Sequence, residues 1–282
     1  MLGLLAGLAV AGGVGFLFWT WTRELPDIRK LQDYHPHQTT RVYARTGEVI
    51  DVVTGDDLAR RTLLPMKEIP TVMRQAIIAA EDADFYQHQG LDYRGVLRAV
   101  VANLRRGRMS QGASTLTQQV VKNLILSPER SLRRKVQEAR LAIQLDKFLT
   151  KDEILEIYLN EVFFGVQAYG VEEASQYFFG HSARTLTLAE AALLAGVVQS
   201  PNPYNPFKHP DAALARRAYV LGQLKDKGFI SQSAYAAASE EPLKLVDPAQ
   251  RDPLEGAFPD YSNAVRAWLS DRFGADDVVG AG

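Results

Sequence analysis

Glu81 and Asp82 stand at the end of an apolar run, Ile69 to Ala80, and Phe85, His88 and Gly90 follow directly. A carboxylate at an apolar helix end, beside aromatic rings, is partly stripped of water, which disfavours its charged form and raises its pKa. Such a group suits a general base for a sugar hydroxyl. A solvated helix terminus accounts for the same residues without chemistry, and His88 by itself fits packing or hydrogen bonding better than catalysis. A second constellation is Gly112-Ala-Ser-Thr-Leu-Thr-Gln-Gln-Val-Val-Lys122. Thr115 and Gln118 have the spacing of a capping box, so a helix start explains part of it. Capping leaves Gln119 and Lys122 unexplained. Gln118 and Lys122, four apart, share a helix face, and with Gly112 before a helix N-terminus the unit suits an anion. A third group, Arg130, Arg134, Lys135 and Glu138, follows Pro128. The i,i+4 pair Arg134/Glu138 and the i,i+3 pair Lys135/Glu138 lie on one side of a helix. The residues read either as a surface ion pair worth under ~1 kcal/mol or as a second carboxylate held by cations beside an anion site.

Other chemistries are excluded. With no cysteine there is no thiol nucleophile and no thiolate metal site. Ser-x-x-Lys, His-Glu-x-x-His, Gly-x-Ser-x-Gly and a phosphate-binding Gly-Lys-Ser/Thr loop are all missing. The net charge of −1 hides an asymmetry: Arg98 to Lys151 carries twelve Lys or Arg against three acids, a local charge of about +9. That field suits an anionic ligand or an anionic membrane surface. Nucleic acid is not expected, because no stacking aromatics are interleaved with the basic residues.

The elements that must position these groups are mostly helical. Thr39 to Thr54 alternates around a Thr-Gly-Glu turn and predicts a β-hairpin, the only convincing strand signal. Pro70 starts a helix through Val72, Ala76, Ile77 and Ala80. Further helices are predicted for Tyr93–Leu104, Thr115–Leu126, Ser131–Phe148, Lys151–Phe164, Val171–Phe179, Leu188–Val198, Ala212–Asp226, Ser231–Ala238 and Tyr261–Phe273, punctuated by Gly and Pro. At the N-terminus, Leu2 to Thr22 has no charged side chain and ends in Phe-Trp-Thr-Trp. About 20 apolar residues span a bilayer as a helix, and Trp19 and Trp21 sit where an interfacial belt is expected. The missing charged n-region and small-residue cleavage site argue against a signal peptide.

Taken together, Glu81-Asp-x-x-Phe-x-x-His-x-Gly90, Gly112-x-Ser-Thr-x-x-Gln-Gln119, Arg134-Lys-x-x-Glu138, Lys151-x-Glu-Ile-Leu-Glu-x-Tyr-Leu-Asn160 and Arg216-Arg-x-x-Val-Leu221 occur in this order. They resemble the five successive motifs of the peptidoglycan glycosyltransferases of glycosyltransferase family 51, the domain found in class A penicillin-binding proteins and in monofunctional transglycosylases. The likeness runs from about Thr39 to Ile230. It implies a mostly α, lysozyme-like, two-lobed glycosyltransferase domain with a short β-hairpin and an N-terminal transmembrane helix, its smaller lobe against the membrane and a cleft between lobes. The expected organisation is an anchor at 1–22, a stem and hairpin at 23–60, the glycosyltransferase domain at 61–240 and a connector or tail at 241–282. Phe258 to Gly274 resembles the connector into a penicillin-binding half, so the sequence reads either as a natural monofunctional enzyme or, the favoured reading, as part of a longer bifunctional protein.

The resemblance also implies roles. Glu81 matches the general base that activates the acceptor sugar 4-hydroxyl. Lys122 and Arg130 match contacts to the donor diphosphate. Arg134, Lys135 and Glu138 match the third motif, where the glutamate organises cations or Mg2+ (or another divalent cation) near the leaving group. Ser114, Thr115, Gln118 and Gln119 match cleft-lining positions, and Asp82, Phe85 and His88 belong to the first, substrate-binding motif. Implied partners are lipid II, the growing lipid-linked glycan, the bacterial cytoplasmic membrane, and other cell-wall synthesis or division proteins. The implied location is the inner membrane, single-pass, with the catalytic domain on the extracytoplasmic side. The fourth motif reads chiefly as a buried helix face (Ile154, Leu155, Tyr158, Leu159) and Arg217 as a brace. Two rivals remain: a lysozyme-like muramidase, which needs no diphosphate site, and a non-catalytic membrane scaffold.

Overall fold

Proline and small polar caps set most helix starts in the computed structural model, which describes residues 12, 13, 15–23, 25–31, 38–53, 60–106, 114–127, 129, 131–247 and 258–274. The chain divides into two compact units, one formed by Met1–Tyr34 and Asp84–Leu155 and the other by His35–Ala83 and Glu156–Gly282.

In the second unit the predicted hairpin is present: β1 (Thr40–Tyr43) pairs antiparallel with β2 (Val49–Val53), Thr40 opposite Val53. Helix α1 (Thr71–Glu81) starts after Pro70 and buries Met73, Ala76, Ile77, Ile78 and Ala79. Each large side chain removed from water on this face contributes about 1.5–3 kcal/mol. The partner faces belong to α7 (Leu188–Val198) and α8 (Pro210–Asp226). Helix α7 is apolar almost all round and is the unit's central helix, started by a full Thr187/Glu190 capping box. Helices α6 (Val171–Phe179), α9 (Gln232–Glu240) and α10 (Pro259–Phe273) complete this unit. A feature the sequence did not signal is a second, parallel pair: β3 (Arg60–Arg61) lies beside β4 (Ala168–Tyr169). Two-residue strands carry no alternation to read; tertiary pairing alone defines them. Correspondingly, the helix predicted over Lys151–Phe164 stops at Glu161 as α5 (Lys151–Glu161), because Val162 to Gly170 turns back on itself.

The first unit holds α2 (Tyr93–Arg106), α3 (Leu116–Leu124), α4 (Leu132–Phe148) and the first turn of α5. Helix α3 packs on α4. Residues 12, 13 and 15–22 are helical, and Gln137 of α4 donates to the Trp21 carbonyl at 2.9 Å, tying the end of the apolar N-terminal run to this unit. Phe16, Leu17, Phe18 and Trp19 are exposed. Among the described residues no helix is long and apolar enough to cross a membrane. Residues 1–11 and 14 of the predicted anchor lie outside the described residues.

Within the second unit the C-terminal helix is fastened to the hairpin by one bidentate pair. Arg266 Nε and Nη2 donate to the two oxygens of the buried Asp51 carboxylate at 2.9 and 2.8 Å. Those hydrogen bonds hold the Asp51 carboxyl below its usual range, against desolvation that opposes them. Arg266→Met is expected to cost about 1–2 kcal/mol, since a bidentate charged pair is strong but Arg266 stays partly exposed. A depressed carboxylate pKa gives stability that is present above the unfolded value, about 3.9, and lost as pH falls through the folded one. Urea unfolding of both proteins should therefore show the deficit at pH 7 and show it vanishing in strong acid.

Candidate active site

In the first unit the site grows from one helix N-terminus. Thr115 caps α3: its Oγ1 accepts from Gln118 N at 3.1 Å, and Gln118 Oε1 accepts from Thr115 N at 3.0 Å. The capping box predicted from spacing is therefore formed. Having spent its oxygen on the cap, Gln118 has its amide nitrogen left, and this donates to Glu138 Oε1 at 3.2 Å. Glu138 lies on α4 and is 2% exposed. The same oxygen takes the Lys135 ammonium in a close ion pair, and Lys135 Nζ also donates to Ser114 Oγ at 2.8 Å. Ser114, Thr115, Gln118, Lys135 and Glu138 are thus one hydrogen-bonded network across α3 and α4. Arg134 is not part of it. Its Nε is buried without a hydrogen-bond partner among the described residues, so the cation on Glu138 is the i−3 lysine rather than the i−4 arginine. Gln119 and Lys122 lie half-buried on α3. Gly112, Pro128 and Arg130 fall outside the described residues.

The loop after Glu81 and Asp82 is anchored to that network. The Thr115 hydroxyl donates to the Gly90 carbonyl at 2.6 Å. Gly90 has φ +81°, and a Cβ there would sit 2.5 Å from the Ala142 carbonyl oxygen of α4, so only glycine fits. Phe85 is fully buried, with the Lys151 ammonium 4.6 Å from its ring centroid and the His88 ring edge-on to it, their centroids 6.1 Å apart. His88 is half-buried against that ring, in keeping with a packing role. Lys151 is ion-paired to the buried Asp146, and Tyr86 Oη donates to Asp152 at 2.8 Å. The Lys151 and Asp146 side chains thus hold the loop from below. Nothing in the local sequence links Lys151 to Phe85; only the packing of α5 on this loop brings them together.

In the second unit, Glu81 is the last residue of α1 and half-buried, and Asp82 is its C-cap, 6% exposed, with its backbone N–H on the Ile78 carbonyl at 3.0 Å. Tyr158 is 1% exposed. Its phenol is pushed well up, first by burial and then by the negative charge of Glu81. Sequence spacing identified Tyr158 as core, and it is core; its electrostatic tie to Glu81 was missed. A buried tyrosine hydroxyl, which needs a polar neighbour, was the available signal. Ile154, Leu155 and Leu159 are fully buried, as the fourth motif's spacing predicts. Arg217 is 7% exposed and donates to the Ser239 carbonyl at 3.5 Å, and desolvation lowers its pKa. That agrees with a brace.

A divalent cation does not fit the side chains around Glu138. Its carboxylate already faces an ammonium and an amide N–H, and among the described residues no group of three or more His, Asp or Glu has metal-holding geometry.

The model of the Transglycosylase family matches residues 46–225, which contain every candidate residue from Glu81 to Glu138. Penicillin-binding protein 1A of Rickettsia bellii (strain RML369-C) is 39% identical over 270 residues, covering 94% of this chain and 33% of that protein. Penicillin-binding protein 1A of Escherichia coli (strain K12) is 40% identical over 266 residues, covering 94% and 30%. The chain spans about a third of the length of the curated relatives it matches. The solved structure of penicillin-binding protein 1A from Haemophilus influenzae aligns with TM-score 0.47 and 23% identity over 87% of this chain and 26% of that one, too loosely to carry an argument.

Removing Lys135 leaves a buried carboxylate with one amide donor. Lys135→Met should destabilise the protein by about 1–3 kcal/mol. Adding Glu138→Gln should recover most of that loss, a coupling that chemical denaturation of the four proteins in a double-mutant cycle would measure.

Proposed function

We propose a function from one premise: the chain belongs to the Transglycosylase family. The domain is a peptidoglycan glycosyltransferase that polymerises lipid-linked disaccharides, and the observation that carries this is the family match over residues 46–225. The donor is a growing glycan on a polyprenyl diphosphate and the acceptor is lipid II. Glu81 takes the proton from the acceptor 4-hydroxyl as that oxygen attacks the donor anomeric carbon. The bond from that carbon to the diphosphate oxygen breaks, the electron pair leaves with the diphosphate, and the new β-1,4 bond forms with inversion.

The reaction builds negative charge on the leaving diphosphate. Fixed cations aimed at developing charge are the strongest device available for that step, each worth a few kcal/mol in a water-poor site. Three observations support the assignment. The segment from Arg98 to Lys151 concentrates positive charge, Lys122 lies half-buried on the capped helix α3, and the Lys135–Glu138–Gln118 network holds that helix rigidly against α4. Glu138 acts here by orienting Lys135 and Gln118. Asp82, Phe85 and His88 are assigned to substrate binding with the first motif. A muramidase would have no use for a diphosphate site.

Membrane attachment follows from the substrate's lipid and from the apolar run at Leu2–Thr22. The reading is a single-pass anchor in the inner membrane with this domain on the extracytoplasmic side. Other cell-wall synthesis or division proteins are natural partners.

Purified protein incubated with labelled lipid II in detergent should yield long lysozyme-sensitive glycan, resolved by size. Glu81→Gln should abolish it while lipid II still binds; near-normal polymerisation by that variant would remove Glu81 as the base. Lys122→Ala should lower the rate by about 100-fold or more, and by more than Lys151→Ala does. Equal losses in the two variants would undo the diphosphate contact assigned to Lys122.

A further inference from the structure

Among the described residues only two non-glycine residues have positive φ, and they are adjacent: Val166 at +51° and Gln167 at +62°. They are the central residues of a tight turn closed by Ala168 N on the Gly165 carbonyl at 2.8 Å. Positive φ at both centres is the type I′ pattern, for which Asn-Gly is the favoured pair. A β-branched valine is among the least suitable residues there. The turn cannot relax by sliding. Phe164 N and Gly170 N donate to Ala168 and Val162 carbonyls at 3.0 Å each, and Arg60 N donates to the Gln167 carbonyl at 2.9 Å. At its base, Phe163 and Tyr169 face each other as bridge partners with ring centroids 4.9 Å apart. The Arg61 guanidinium lies 5.0 Å from the Tyr169 ring and is fixed by Glu161 at 3.3 Å.

Strain of this kind persists where the surrounding structure over-determines it, and it gathers at functional sites. Here the turn presents an exposed primary amide at Gln167 beside a rigid, partly exposed aromatic pair, with Phe163 39% exposed. An apolar ring face with an adjacent amide that both donates and accepts is the chemistry that takes a sugar ring, and especially an N-acetylated one. We propose that the Val166–Gln167 turn, with Phe163 and Tyr169, is a subsite that grips the glycan strand and lengthens the product before release. This rests on the glycosyltransferase reading, because the occupant is that reaction's own polymer.

The full chain in detergent, supplied with labelled lipid II, separates the possibilities through strand length, the rate of lipid II consumption and melting temperature. Phe163→Ala and Gln167→Ala should weaken the grip about three- to ten-fold and shorten the strands, while lipid II consumption stays near that of the unaltered protein. The double variant V166D/Q167G should melt roughly 2–6 °C higher and yet make short strands, since Asp-Gly suits both positive-φ centres and removes the side-chain amide. A more stable double variant with strands of unaltered length would overturn the subsite. So would strands of unaltered length from both single variants, and an unraised melting temperature would overturn the strain. If the unaltered protein forms no polymer, the glycosyltransferase reading itself fails, an outcome distinct from polymer of unchanged length in the variants.

Discussion

A carboxylate as deeply buried as Glu138 is stable in its charged form only if it is paired and hydrogen-bonded, and that requirement organises the first unit. One oxygen collects the Lys135 ammonium and the Gln118 amide. Gln118 can reach it only because its other end is committed to the Thr115 cap, and the Thr115 hydroxyl in turn holds the Gly90 carbonyl. A helix start, a helix side and the loop after the base candidate are therefore tied through a single charge. Gly90, the Thr115 cap and the Lys135–Glu138 pair are thus parts of one network within this unit.

The second unit solves a related problem with buried pairs at its margin and an apolar centre. Helix α7 is apolar beyond its capped first turn, so α1 and α8 pack on it by shape and area. The polar work is done around the hairpin and β3. The Arg41 guanidinium meets the buried Glu173 at 2.7 Å, and Arg61 meets Glu161. Buried pairs add little net stability but penalise wrong arrangements, a way to hold short strands whose own pairing is weak. Glu81 emerges at the end of a helix whose apolar face is buried in this unit, and its charge reaches Tyr158. The base role proposed for Glu81 would suit such a packed element, because small displacements are costly in rate.

Catalytic and structural demands meet in Lys151. By composition it is one more cation in a basic segment. In the fold its charge is committed to Asp146 and the Phe85 ring, and it serves the loop rather than an anionic ligand. Lys122 lies half-buried on the capped helix α3. The raw charge of a segment thus overstates its field at a site, since part of that charge is spent internally.

The sequence by itself determined the helices, their caps and the family. Those features are local: a 3.6-residue apolar period, a Thr and a Gln three apart, a proline at a first turn, five motifs in order. It also determined that Glu81 and Glu138 were the carboxylates to watch, because each interrupts an otherwise apolar or basic context. Only the tertiary structure decided which cation Glu138 takes, since both Arg134 and Lys135 satisfy helical spacing and the choice depends on where Ser114 and Gln118 lie. It alone decided that α5 ends at Glu161, that two-residue strands pair in parallel, and that Lys151 covers Phe85. Each of these joins residues far apart in the chain, through contacts whose energy comes from burial and pairing in three dimensions and leaves no periodic trace along one.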